Sequence, residues 1–167
     1  MAAPQIINVS GAPEGFDARL LSEAATGPVV HVARDDRRMA ATAEALRFFA
    51  PDLPVLTFPG WDCLPYDRVS PNPDISAARV ATLAGLAKGA LDRFVLLTTL
   101  NAATRRVPAR DLLAEASFVA RVGDRVDESA LRAFLSRMGF VQAPTVTEPG
   151  DFAIRGGIID IYPAGET

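Results

Sequence analysis

The chain has 167 residues, a mass of 17.7 kDa and a formal net charge of −3. Its 49% hydrophobic and 22% charged residues exclude an intrinsically disordered chain and are typical of a globular protein with one good core and a partial second one. An isoelectric point near 5.2 argues against a strong sequence-independent grip on nucleic acid, which requires a clustered basic surface.

The cysteine content and the apolar runs bear on where the protein works. Cys63 is the single cysteine, so the chain can form neither an internal disulfide nor a cysteine-rich metal site. The sequence lacks a signal-peptide pattern, and no apolar run approaches the roughly 18 residues that span a bilayer. We therefore expect a cytoplasmic protein without a membrane contact.

The chain begins with the strand-loop-helix pattern in which a phosphate-binding loop occurs. Residues 5–9 (QIINV) predict a strand and residues 15–23 predict a helix, with residues 10–17 forming the loop between them. A P-loop follows the pattern G-x-x-x-x-G-K-[ST] between such a strand and helix. Residues 10–17 can therefore be aligned with the P-loop pattern.

The residues needed for phosphate binding are missing from this loop. The alignment places Ser10 and Gly15 at the two glycines, Phe16 at the lysine and Asp17 at the hydroxyl residue. The only lysine is Lys88, and Asp17 places negative charge at a helix N-terminus where phosphate would bind. The pattern indicates a decayed P-loop, so we expect no catalytic residue, no cofactor and no metal. An ordinary turn without P-loop ancestry is the alternative.

Strands and helices alternate from residue 27 to about residue 117. The short apolar run over residues 27–33 predicts a strand buried on both faces, residues 53–58 predict another short strand, and residues 94–97 predict a third, buried strand. Helices are predicted over residues 35–50, 74–89 and 99–106, the first capped by Asp35 or Asp36 and the second by Asp74 or Ser76. The second helix is expected to bury an apolar stripe of Val80, Leu83, Leu86 and Ala87. This alternation predicts an α/β domain with a parallel sheet over residues 1–117.

The pattern changes after residue 117. Asp127 is predicted to cap a helix that Gly139 ends, with Leu131, Phe134, Leu135 and Met138 on one face. Strand-like runs cover residues 141–147 and 152–162, with a turn at residues 148–151. We expect an incomplete, smaller α+β domain over residues 118–167. Because no closing element follows, we interpret the chain as a fragment of a larger protein.

Two stretches carry a resemblance to a known family. Residues 58–67 (FPGWDCLPYD), continued by residues 70–71 and 74–83, resemble the N-terminal region of bacterial transcription-repair coupling factors (Mfd). Residues 155–163 (RGGIIDIYP) resemble a motif that these factors share with the excision-repair protein UvrB, in the domain with which each contacts UvrA. The two motifs frame most of the chain in the expected order.

The resemblance implies a catalytically inactive copy of a RecA/helicase-like domain, similar to domain 1a of UvrB, followed by the start of a UvrA-binding domain. Arg155 is the one position that the motif carries over as a UvrA contact. Contacts with RNA polymerase and DNA, and ATP-dependent translocation, are implied for other domains of the full-length protein. The implied function is therefore recruitment of UvrA to stalled RNA polymerase in nucleotide excision repair.

A nucleotide hydrolase or transferase is the alternative from another class. Asp35, Asp36 and Thr98 lie at the predicted carboxyl ends of strands, where open α/β sheets place ligand groups. Helix capping explains the two aspartates more simply. His31 lies inside an apolar run without an identifiable hydroxyl or thiol partner, so a core histidine is favoured over a catalytic base.

A DNA-binding domain is the third option. Trp61 and Tyr66 could stack on bases, but nearby aspartates favour packing of this proline-rich loop against the sheet. Arg105 and Arg106, with Arg110, form a basic cluster that we interpret as a solvated helix end. Cys63 is interpreted as a structural thiol.

The last predicted strand has an apolar side chain on each face. Residues 158–162 would place Ile159 and Ile161 on one face and Ile158 and Tyr162 on the other. An apolar strand at a sheet edge pairs readily with another chain, so we expect the fragment to self-associate through this edge.

Overall fold

The computed structural model describes residues 6–64, 68–89 and 91–163, apart from the side chains of residues 114 and 115. The helices are α1 (Phe16–Ala24), α2 (Asp36–Phe49), α3 (Pro73–Lys88), α4 (Leu100–Ala103), α5 (Arg110–Glu115) and α6 (Glu128–Arg137). The strands are β1 (Pro28–Ala33), β2 (Val55–Phe58), β3 (Phe94–Thr99), β4 (Val141–Gln142), β5 (Asp151–Arg155) and β6 (Ile158–Ile161).

A parallel three-stranded sheet organises the first part of the chain. Its strand order is β1-β3-β2, with Val29 opposite Val95 and Val55 also opposite Val95. The central strand β3 is the most buried of the three because strands pair with it on both sides. The predicted α/β class with a parallel sheet is confirmed.

Helices cover both faces of this sheet. On one face, α2 packs on β3, and α1 packs on α2 and β1, in a core that includes Leu46, Val95 and Leu97. On the other face, α3 lies over β2, where the Thr82 hydroxyl donates to the Thr57 carbonyl at 2.6 Å. The sheet is therefore flanked by helices.

The edge strand β1 is exposed on the sheet face that carries α3, because α3 lies over β2 and does not extend to β1. Val30 and Val32 are 60% and 48% exposed, whereas Ala33 on the opposite face is buried. The expectation that this strand is buried on both faces is therefore wrong. Its apolar run is continuous, but α3 is displaced towards β2.

The opening strand and the caps of α3 also differ from expectation. Residues 6–9 form no strand, and Ile6 and Ile7 lie 83% and 74% exposed, since no neighbouring strand pairs with them; Gln5 lies outside the described residues. Asn72, instead of Asp74 or Ser76, caps α3 by accepting from the Asp74 amide at 2.8 Å. The sequence analysis did not predict α5.

The buried side of α3 also differs from the predicted apolar stripe. Arg79 and Thr82 are its buried residues, while Val80 is 55% exposed. The remaining members of the stripe, Leu83, Leu86 and Ala87, are partly buried. The sheet face under α3 therefore receives polar side chains that bond to backbone carbonyls.

A second, mixed sheet follows α6. Strand β4 pairs in parallel with β5, and β5 pairs antiparallel with β6. Leu131, Leu135 and Phe152 form its small core. The strand predicted over residues 141–147 shortens to β4, and the run over residues 152–162 folds into a hairpin. We call residues 6–117 the first unit and residues 118–163 the second unit; the division between them stays a prediction.

Candidate partner-binding surface

The loop at residues 10–17 holds a glycine and an aspartate in structural roles. Gly15 adopts a φ of 83° at the N-cap of α1, a left-handed conformation that glycine tolerates best, and provides no side-chain cap. The Asp17 carboxylate accepts from Arg38 Nη2 at 3.0 Å and from the Thr42 hydroxyl at 3.2 Å. Asp17 therefore ties α1 to α2 through a partly buried ion pair. Ser10 is exposed and Phe16 is partly buried.

The aspartates at the carboxyl end of β1 make backbone contacts. Asp35 Oδ1 accepts from the Arg38 amide at 2.7 Å, which confirms helix capping. This amide bond, followed by the hydrogen bond from the Arg34 side chain, lowers the pKa of Asp35 below its ordinary value. Asp36 Oδ1 accepts from the Gly60 amide at 3.3 Å and so joins the loops after β1 and β2.

Thr98 and His31 complete the set of residues considered for hydrolysis. The Thr98 hydroxyl donates to the Phe58 carbonyl at 2.9 Å inside the sheet. His31 lies in β1 on the core side, with Nε2 buried and without a hydrogen-bond partner among the described residues. Burial is the largest cause that lowers the pKa of His31; Asp17 raises it and Arg38 lowers it further. Within the described ranges, no group of His, Cys, Asp or Glu side chains is arranged to hold a metal ion.

A buried arginine that the sequence analysis did not single out organises the proline-rich loop. Arg79 is 3% exposed, and its guanidinium lies 4.0 Å from the ring centre of Phe58 and 4.3 Å from that of Trp61. Arg79 Nη1 also donates to the Pro59 carbonyl at 2.5 Å. Burial lowers the pKa of Arg79. The sequence signal for this buried residue is a single arginine in an alanine-rich helix that follows a loop with aromatic residues.

The Trp61 ring packs on Arg79 of α3, and 43% of Trp61 remains exposed, so packing of this loop against the sheet stays a prediction. Cys63 is free and partly buried. Tyr66 lies outside the described residues. Of the basic cluster, Arg110 Nε donates to the Ala87 carbonyl at 2.9 Å, while Arg105 and Arg106 are exposed.

Arg155 lies on an exposed hairpin of the second unit. It ends β5 opposite Ile158, and the two-residue turn between them is Gly156-Gly157, with φ values of 55° and 90°. Positive φ at both central residues is the requirement of a type I′ hairpin turn, which glycine meets without strain. Arg155 Nη2 donates to Asp160 Oδ2 at 2.5 Å, yet 58% of the Arg155 side chain stays exposed. The hairpin thus presents a held guanidinium to solvent.

The turn before β5 supports this hairpin. The Asp151 carboxylate accepts from the Thr147 and Glu148 amides at 3.1 and 3.0 Å. These two bonds, the Thr147 bond first, lower the pKa of Asp151 below its ordinary value. Ile158 lies 64% exposed on the edge strand β6, so the apolar edge predicted at residues 158–162 is present.

None of the helices in the described part of the chain is long and apolar enough to cross a membrane.

The second unit matches a known domain family. Residues 118–167 match the UvrB interaction domain. This match covers α6 and both strands of the Arg155 hairpin. The class indicated by the second unit is thus that of proteins with a UvrB-type interaction domain.

Curated relatives extend the similarity over most of the chain. The transcription-repair-coupling factor of Escherichia coli (strain K12) is 32% identical over 145 residues, 87% of this chain and 12% of the relative. The factor of Myxococcus xanthus is 35% identical over 164 residues, 92% of this chain and 13% of the relative. The factor of Bacillus subtilis (strain 168) is 23% identical over 158 residues. The chain belongs to the transcription-repair-coupling factor family and matches its N-terminal region, spanning about an eighth of the length of these relatives.

Proposed function

We propose that the chain is a non-catalytic module of transcription-coupled nucleotide excision repair that binds UvrA through the second unit. The match of residues 118–167 to the UvrB interaction domain is the observation that carries this proposal. The relatives are named transcription-repair-coupling factors, and this name places the proposed module in the coupling of transcription to repair. In this scheme the whole protein recruits UvrA to RNA polymerase stalled at a DNA lesion, in the cytoplasm.

Arg155 is the residue that we assign to the UvrA contact. A guanidinium presents a planar fork of donors to carboxylates and stays charged at an interface, and arginine is enriched among the residues that dominate binding energy. The bond to Asp160 holds the side chain at the end of the hairpin, which reduces the entropy lost on binding. Asp160 would then share Arg155 with an acidic group of the partner.

We further propose that the first unit descends from a RecA/helicase-like domain whose P-loop has decayed. The parallel α/β sheet is compatible with this origin, and the absence of a lysine from residues 10–17, with Asp17 paired to Arg38, supports the loss of phosphate binding. ATP-driven translocation and contacts with RNA polymerase and DNA then belong to other parts of the whole protein. Titration calorimetry with Mg-ATP is expected to show no specific heat. Micromolar affinity, or turnover lost on Asp17→Ala, would support the nucleotide hydrolase instead.

Binding of purified UvrA to the immobilised chain tests the UvrA proposal. Arg155→Ala is expected to weaken binding by about 1 to 3 kcal/mol with a nearly unchanged melting temperature. Arg132→Ala is the matched control, because Arg132 is also exposed and pairs with Glu128 at 2.9 Å on α6. Equal binding by wild type and Arg155→Ala would assign Arg155 to the hairpin's own structure.

A further inference from the structure

A groove on the first unit, remote from the Arg155 hairpin in sequence, has no role in the function proposed above. It lies beyond the carboxyl ends of β2 and β3 and has a volume of about 900 Å³. One wall is formed by residues on either side of positions 65–67, including Trp61, Leu64 and Val69, and the other by Arg105 and Arg106 after α4. Ligands of open α/β sheets bind in crevices at this end of the strands.

The loop wall combines exposed apolar side chains with Arg68 and Ser70. Leu64 is 71% exposed, Val69 is 68% exposed and Trp61 is 43% exposed. The Trp61 ring is held from within the fold by the buried guanidinium of Arg79. A fixed aromatic ring beside exposed aliphatic side chains is the composition of a protein-binding surface.

The opposite wall is cationic. Arg105 and Arg106 are exposed, and neither forms an ion pair within residues 6–64, 68–89 and 91–163. Asp62, which does not line the groove, accepts from the Asn72 amide at 3.2 Å. Two adjacent guanidiniums without carboxylate partners complement an acidic ligand.

We propose that this groove binds an acidic peptide segment of a partner protein, with an apolar side chain of the peptide seated against Trp61 and its carboxylates facing Arg105 and Arg106. The exposed Leu64 and Val69 favour a peptide over a nucleic acid, because phosphates would gain nothing from them.

Trp61 is the only tryptophan of the chain, so its fluorescence reports directly on this groove. The test titrates the full chain with a short blocked peptide that carries a Leu-Phe pair between acidic residues. A saturable blue shift of the emission is expected, because the peptide would remove water from the exposed part of the ring. A peptide with lysines in place of the acidic residues, and an oligothymidylate, should give no shift.

Arg105→Ser/Arg106→Ser is expected to weaken peptide binding roughly tenfold. Arg47→Ser/Arg93→Ser is the matched control, since both arginines are exposed and lie at the other end of the sheet, about 20 Å along the strands. Each double variant removes two positive charges, which takes the net charge from −3 to −5. The control should bind within about twofold of wild type.

Leu64→Ser, at an exposed position, provides a second variant and is expected to weaken binding roughly threefold. The proposal would be overturned by an absent spectral shift at millimolar peptide, by equal losses in the two double variants, or by tighter binding of the oligothymidylate. That last outcome would assign the groove to single-stranded nucleic acid.

Discussion

The two units bury their cores to different extents. The first unit surrounds β3 with strands on both sides and helices on both faces, and its main buried cluster holds nine residues. The second unit buries three residues in its cluster and leaves the edge strand β6 open. A unit of this size has little area to bury, so its stability rests on few side chains. In the proposed function, the unit with the smaller core is the one that binds the partner.

The largest expected effect comes from removing the centre of the smaller core. Phe152 is 1% exposed, and Phe152→Ala is expected to cost about 3 to 5 kcal/mol, because it leaves a cavity that few neighbours can fill. Hydrogen exchange should then rise throughout residues 141–161 and stay unchanged in β1 to β3. In Leu46→Ala, the control in the larger core, exchange should rise in the first unit instead. Loss of protection in both units of both variants would contradict two separable cores.

The next largest effect is expected in the first unit, from removing the buried guanidinium of Arg79. Arg79→Ala is expected to cost about 2 to 4 kcal/mol, since it deletes a buried group that contacts two aromatic rings and the Pro59 carbonyl. Trp61 should become more mobile, which a lower fluorescence anisotropy would detect. Arg79→Met should recover part of the stability through packing. An unchanged anisotropy in Arg79→Ala would mean that Arg79 does not hold the Trp61 loop.

A smaller effect is expected at the junction of α1 and α2. Asp17→Asn is expected to cost about 1 kcal/mol, because the amide keeps the shape and loses the charge that pairs with Arg38. Urea unfolding measures it, with Glu23→Gln as control, since Glu23 makes an exposed pair with Arg19. The control should lie within about 0.5 kcal/mol of wild type. A more stable Asp17→Asn would show that the ion pair with Arg38 does not stabilise the fold.

The smallest expected effect concerns pH. Burial lowers the pKa of His31 in the folded chain below its ordinary value of 6.5, so the unfolded chain takes up the proton first as pH falls. The free energy of unfolding should therefore be unaffected by His31 above this value and should decline below it. His31→Gln should flatten this part of the pH profile, before the lowered pKa values of Asp35 and Asp151 act at lower pH. An identical decline in the variant would assign it to other groups.

The sequence predicted those elements whose signals are local. Asp35 at the start of α2 and Asp127 at the start of α6 are capping residues whose carboxylates find an amide three residues along, and the structure confirms both. The parallel arrangement around β3 followed from alternation alone. The family resemblance, carried by short motifs, is likewise confirmed by the relatives.

The sequence-based predictions were wrong where the structure of a segment depends on contacts with distant parts of the chain. Residues 6–9 have the composition of a strand but no partner to pair with, and β1 is exposed on one face because of where α3 lies. Arg79 is buried because two aromatic rings and a carbonyl, distant in sequence, converge on it. The bond between Arg155 and Asp160 depends on the strand register, because Arg155 lies opposite Ile158 and Asp160 is its diagonal neighbour across the hairpin.

Hydrogen exchange of the chain with and without UvrA tests the central claim most directly. The account predicts that UvrA slows exchange in the second unit, above all in β5 and β6 around Arg155, and leaves β1, β2 and β3 unchanged. Arg155→Ala should reduce this protection, and Arg132→Ala should preserve it. Protection confined to the first unit, with the Arg155 hairpin exchanging as in the free chain, would contradict the claim that the second unit is the partner-binding surface.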